Sequence, residues 1–136
     1  MIVLTTVIHT IGIIFLIAML KRLGVRDGKS LGYPAMTGIL VLAILVILIL
    51  HTLEIWIWAA MYLLLDQFQD FARALYFSVV TYTTLGYGDI VLKPRWQLLS
   101  SLEAVNGIIL FGVSTAVVFA VMRRLFELGA IIDSER

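Results

Sequence analysis

The sequence has no cysteine, two prolines and few charges: only 14% of its 136 residues are Asp, Glu, Lys or Arg. Without cysteine there is no disulfide framework, no thiolate metal site and no cysteine nucleophile. The net charge of +1 gives no reason to expect a nucleic-acid partner. An ordinary soluble domain carries about 25% charged residues and about 45–50% apolar ones. Here the hydrophobic share is 62% and the mean hydropathy is +1.06. A globule of this size has too much surface to hide that much apolar area. These figures exclude a water-soluble single domain, and with it most soluble enzymes. The solvent of this chain is lipid.

A membrane span takes roughly 20 apolar residues. Ile2 to Leu20 is uncharged and just long enough, and its basic residues Lys21 and Arg22 follow it rather than precede it. That order is wrong for a cleaved leader and right for a retained transmembrane helix. Lys21 to Tyr33 is a polar break with three glycines and four cationic residues, and Pro34 suits the start of the next helix. The second block, about Ala35 to Leu65, contains His51 and Glu54; Trp56, Trp58 and Tyr62 then read as an interfacial aromatic belt. The third, Leu98 to Met122, is expected to stop at Arg123 and Arg124, leaving Leu125 to Arg136 as a short mobile tail.

Between the second and third blocks, Ala72 to Thr83 is too short to span and too apolar for a surface loop, with Asp70 placed to cap it. It runs into Thr83-Thr84-Leu85-Gly86-Tyr87-Gly88-Asp89. A short apolar helix followed by Gly-rich backbone reads as a re-entrant segment, which is tolerated only where it is buried in protein or lines water. The fold class is therefore an all-α membrane protein with three transmembrane helices plus a re-entrant helix. One domain is expected, divided as 1–34 (first span and loop), 35–124 (pore) and 125–136 (tail). The Lys and Arg residues at 21–29 and 123–124 place these two regions on the cytoplasmic side and the N-terminus outside.

A cation crossing a membrane must exchange its water shell for protein oxygens. Successive inward carbonyls supply these if alternate residues adopt left-handed φ, which glycine does at little cost. Thr84, Leu85, Gly86, Tyr87 and Gly88 place glycines at alternate positions, and the Thr84 hydroxyl adds an oxygen. Tyr87 is expected to turn away and brace this wall against the short helix. One chain gives one wall, so a ring needs several chains.

This segment resembles the selectivity filter of potassium channels. Arg73 to Tyr82 is similar to the pore helix of small bacterial potassium channels, and Gly107 to Gly112 to their inner helix; the resemblance spans about Ile39 to Met122. It implies a homotetramer in a bacterial inner (plasma) membrane, with potassium bound by Thr84, Leu85, Gly86 and Tyr87, no cofactor and no small-molecule substrate. His51 to Trp56 and Leu102 to Gly107 look like compact channels with three spans and no regulatory domain. The sequence departs from the family in two places. Leu85 stands where valine is commonest. Val80 stands where some members have a glutamate paired with the aspartate after the filter, so Tyr76 is expected to hydrogen-bond Asp89 instead. The alternatives are a non-selective cation channel, and a structural or transporter-like membrane subunit.

The resemblance favours Gly107 as a bending point, although close helix packing accounts for a glycine equally well. Phe111, Thr115 and Phe119 recur four apart on one face. If Phe111 faces the cavity, Phe119 lies near an intracellular constriction that four phenylalanines could close by dewetting. The alternative is lipid contact. No arginine repeats at every third position, so no voltage sensor is expected. His9, His51, Glu54 and Glu103 are ionisable residues within apolar blocks. His9, His51 and Glu54 are expected to cluster, as helix–helix glue in preference to a proton or divalent-cation sensor. Glu103 and Asn106 are expected to make inter-helical contacts behind the filter.

Overall fold

A computed structural model describes residues 1–23 and 32–134, with side chains through Leu128. Four α-helices carry the fold: α1 (Ile2–Arg22), α2 (Tyr33–Leu64), α3 (Phe71–Tyr82) and α4 (Gln97–Ser134). A 3₁₀ turn at Pro94–Trp96 leads into α4. Three of the four, α1, α2 and α4, are long and apolar enough to cross a membrane. The chain is thus an all-helical membrane protein with three spans. Arg26 and Lys29, half of the basic loop read from the sequence, lie outside the described residues.

Pro34 sits in the first turn of α2, where its missing N–H leaves no bond unmade. At 32 residues, α2 is about 48 Å long, well beyond a perpendicular span. The Asp70 side chain accepts a hydrogen bond from the Arg73 N–H at 2.8 Å and so starts α3. The short helix forms within a residue of its expected bounds.

Two expectations are corrected. Arg123 and Arg124 do not stop the last helix, and the segment after them is not a loose tail: α4 runs on to Ser134. Both arginines bond to Glu127, three and four residues on, which keeps their charge on the exposed side. Leu125 and Leu128 turn inward instead and join Leu16, Leu20, Met36, Ile39 and Val121 in an apolar core at that end of the bundle. Nor do Trp58 and Tyr62 form an interfacial belt. They lie four and eight residues after Glu54, on its helix face, and are buried in a second, aromatic core with Phe77, Tyr82 and Leu92. Trp56, off that face, is half exposed.

Lipid tails are as apolar as the helices, so close packing and internal hydrogen bonds must hold the bundle together. Gly12 of α1 shows the packing: a Cβ there would come within 2.3 Å of the Leu50 side chain of α2. The hydrogen bonds lie between the two apolar cores, in a layer of buried polar side chains that includes Thr5, His9, His51, Glu54, Ser78, Glu103, Asn106 and Ser114.

Candidate functional site

The backbone after α3 does what its glycines suggest, and extends the pattern by one residue. Gly86 and Gly88 have φ of 56° and 74°, and Thr84 has φ of 60°. Left-handed backbone is costly for a β-branched residue, and nothing in the residue type marks Thr84 for it. With 84, 86 and 88 left-handed, alternate peptide units flip so that successive carbonyls can share one side. The wall is tied to α3 through its amides: the Thr84 N–H donates to the Thr81 carbonyl at 2.9 Å and the Gly86 N–H to the Val80 carbonyl at 3.1 Å. Residues 84–88 are all exposed in the single chain.

Asp89 ends the segment. The Tyr76 hydroxyl donates to its carboxylate at 2.8 Å, the bond expected in place of a glutamate at position 80. Donation to Asp89 raises the Tyr76 hydroxyl above its ordinary pKa of 10.0. Tyr87 is 67% exposed in the single chain. Beside the segment lies an open cleft of about 340 Å³, lined in part by Tyr76, Val80, Gly86, Asp89, Ser101 and Ala104.

Behind this wall the buried polar side chains form two groups. In one, the Glu54 carboxylate lies 2.8 Å from His9 Nδ1 and 3.1 Å from His51 Nδ1 and accepts from the Tyr82 hydroxyl, which is itself 3.2 Å from His51 Nδ1. The Ser114 hydroxyl lies 3.0 Å from His51 Nε2 and 3.2 Å from His9 Nε2. In the other, Glu103 takes hydrogen bonds from the Tyr62 and Ser78 hydroxyls, and Asn106 donates to Thr5 Oγ1 at 2.8 Å. The first group joins all four helices, and the second joins α4 to the other three. His9, His51 and Glu54 thus come together as the sequence suggested. Tyr82, Ser114, Tyr62, Ser78 and Thr5 were missed as their partners. The only signal for Ser114 was a hydroxyl, beside that of Thr115, in an apolar block.

The inner-helix residues separate. At Gly107 a Cβ would stand 2.1 Å from the Tyr82 carbonyl oxygen, so a backbone contact with the end of α3 explains this glycine, and α4 is continuous through it. Gly112 has open space. Phe111 does not stand free toward a cavity: its ring packs 4.4 Å from His51 and 5.5 Å from Tyr82, centroid to centroid. The aromatic faces of the polar cluster draw it inward. Thr115 and Phe119 remain exposed.

A family of sequences described as "Ion channel" matches residues 38–124, from the first turns of α2 through the arginine pair of α4. No curated protein and no solved structure gives a significant match.

Proposed function

The chain belongs to the ion-channel family, of the pore-loop type with two helices around the pore, and from that premise we propose that it is a potassium-selective channel passing ions down their gradient. The observation that carries the proposal is the alternation of left-handed φ at Thr84, Gly86 and Gly88 in an exposed segment. Such a backbone presents a column of carbonyl oxygens from Thr84, Leu85, Gly86 and Tyr87, with Gly88 completing the wall and the Thr84 hydroxyl at its inner end. Dehydrated potassium is the transported ion, and no cofactor or small-molecule substrate is invoked. The filter uses the Leu85 carbonyl, so the side chain at that position does not alter the ligand set. Tyr76 and Asp89 hold the outer end.

One wall coordinates nothing alone, so the working unit is a homotetramer around a four-fold axis, embedded in lipid. Two features support this assembly. Tyr87 is exposed beside an open cleft in the same chain, and in a ring each ring of atoms can enter the neighbour's cleft. Thr115 and Phe119 are exposed on α4, where four copies would line the pore below the filter and Phe119 could form a dewetting gate. The C-terminal end of α3, negative by its dipole, favours a cation in that cavity. The arginines at 123–124 support a cytoplasmic C-terminus and, across three spans, an external N-terminus in a bacterial inner membrane.

The test is ion flux from liposomes containing the purified chain. Potassium flux well above sodium flux, blocked by barium, is expected. Equal fluxes would make it a non-selective cation channel, and a monomer by mass measurement in detergent would exclude the channel reading.

A further inference from the structure

His9, Glu54, His51 and Ser114 close a ring of four contacts: His9 Nδ1 to Glu54, Glu54 to His51 Nδ1, His51 Nε2 to Ser114, and Ser114 to His9 Nε2. Each contact is a hydrogen bond only if one proton lies in it. An ionised carboxylate brings none, two neutral imidazoles bring one each, and the serine brings one. Three protons cannot fill four contacts: the fourth sits either on the carboxylate or on an imidazole, and imidazole is the stronger base. With three, an imidazole lone pair faces a hydroxyl lone pair at 3.0–3.2 Å among buried side chains.

A buried carboxylate calls for the same proton. Glu54 is fully buried; the Tyr82 hydroxyl donates to it, and Nδ1 of His9 and Nδ1 of His51 each lie within hydrogen-bond distance of one of its two oxygens. An unpaired carboxylate at membrane depth is costly. The groups facing it are few. α1 offers His9, α2 offers His51, α3 offers the Tyr82 phenol, and α4 offers neutral Ser114, with a second acid, Glu103, near Tyr82. Among the described residues, no lysine or arginine is buried. Only the histidines can supply the positive charge.

We infer that the His9–His51 pair is a binding site for one proton, which completes the hydrogen-bond ring and neutralises Glu54. The pair is then one imidazolium and one imidazole bridged by Ser114. A second added proton would leave a net positive charge among apolar helices. Removal of the first reopens one contact and bares the carboxylate where α1, α2 and α4 meet. Tyr82 carries that change to the last turn of α3, two residues before Thr84.

The two histidines are the only ones in the chain, so histidine labelling reports on this site alone. Solid-state ¹⁵N spectra of the full chain in lipid vesicles count protonated and bare imidazole nitrogens. Near neutral pH three of the four nitrogens are expected to carry a proton and one to be bare. Two bare nitrogens, or none, would overturn the inference. In Glu54→Gln the charge that holds the proton is gone, and the spectrum should shift to two bare nitrogens; three protonated nitrogens retained there would also overturn it. If that variant does not fold, the count in the unaltered chain decides alone. Ion selectivity does not enter either readout.

Discussion

Residues 84–88 and the ring of His9, His51, Glu54 and Ser114 are both polar structures at membrane depth, and both adjoin the last turn of α3. They satisfy their polar groups in opposite ways. The filter segment uses backbone, runs in one direction through five consecutive residues, and leaves its side chains exposed in the single chain. The ring uses side chains, draws on positions from 9 to 114, and closes on itself among buried groups. In the proposed assembly the first is completed by other copies, whereas the second is complete within one chain. Damage to the ring should therefore appear as lost stability of the chain, and damage to the filter as lost function of the assembly.

The largest effect is expected from Glu54→Ala. It strands two buried imidazoles and the Tyr82 hydroxyl, and removing one partner from a buried charged pair costs about 3–5 kcal/mol. Thermal melting followed by circular dichroism should fall steeply; an unchanged midpoint would remove the ring from the account of stability. Gly107→Ala comes next. Its new methyl would press on the Tyr82 carbonyl, and overpacking of this kind costs about 1–3 kcal/mol. Melting and flux should both suffer, because the contact belongs to both regions. A normal melting curve would mean that α4 shifts without cost.

Gly86→Ala sharpens the contrast from the other side. The position has room for a methyl but a φ of 56°, so the penalty is backbone strain of about 1–2 kcal/mol, confined to the filter. Potassium flux should be lost while the melting midpoint moves little. Loss of folding together with flux would blur the division. The smallest effect belongs to Tyr76→Phe, which deletes one exposed hydrogen bond to Asp89. Stability should not change measurably, but slow inactivation in single-channel records should quicken. Unchanged inactivation would leave that bond without a role in the filter.

The same contrast explains what could be read from the sequence. The left-handed stretch at 86–88 was legible because it is contiguous and its glycines mark the backbone. The α3 cap at Asp70 followed from local spacing, and the Tyr76–Asp89 bond from the family resemblance. His9, His51 and Glu54 stood out as ionisable residues among apolar ones. Ser114 did not, for a physical reason. Hydroxyls in membrane helices usually bond back to their own helix, as Thr10, Thr37, Thr52 and Thr115 do here with the carbonyl four residues earlier. A hydroxyl that reaches across to other helices looks the same in sequence. Trp58 and Tyr62 misled because an aromatic residue with a polar tip suits either an interface or a dry core with a partner. Thr84 escaped notice because nothing about threonine announces a left-handed backbone.

The contact between Gly107 and the Tyr82 carbonyl has a mechanical meaning. The inner helix rests, backbone on backbone, against the root of the filter, with no side chain to act as a cushion. It is a bearing surface. If α4 swings outward at its Phe119 end, the thrust at this point passes to the peptide two residues before Thr84. Opening below and conduction above would then be two ends of one lever.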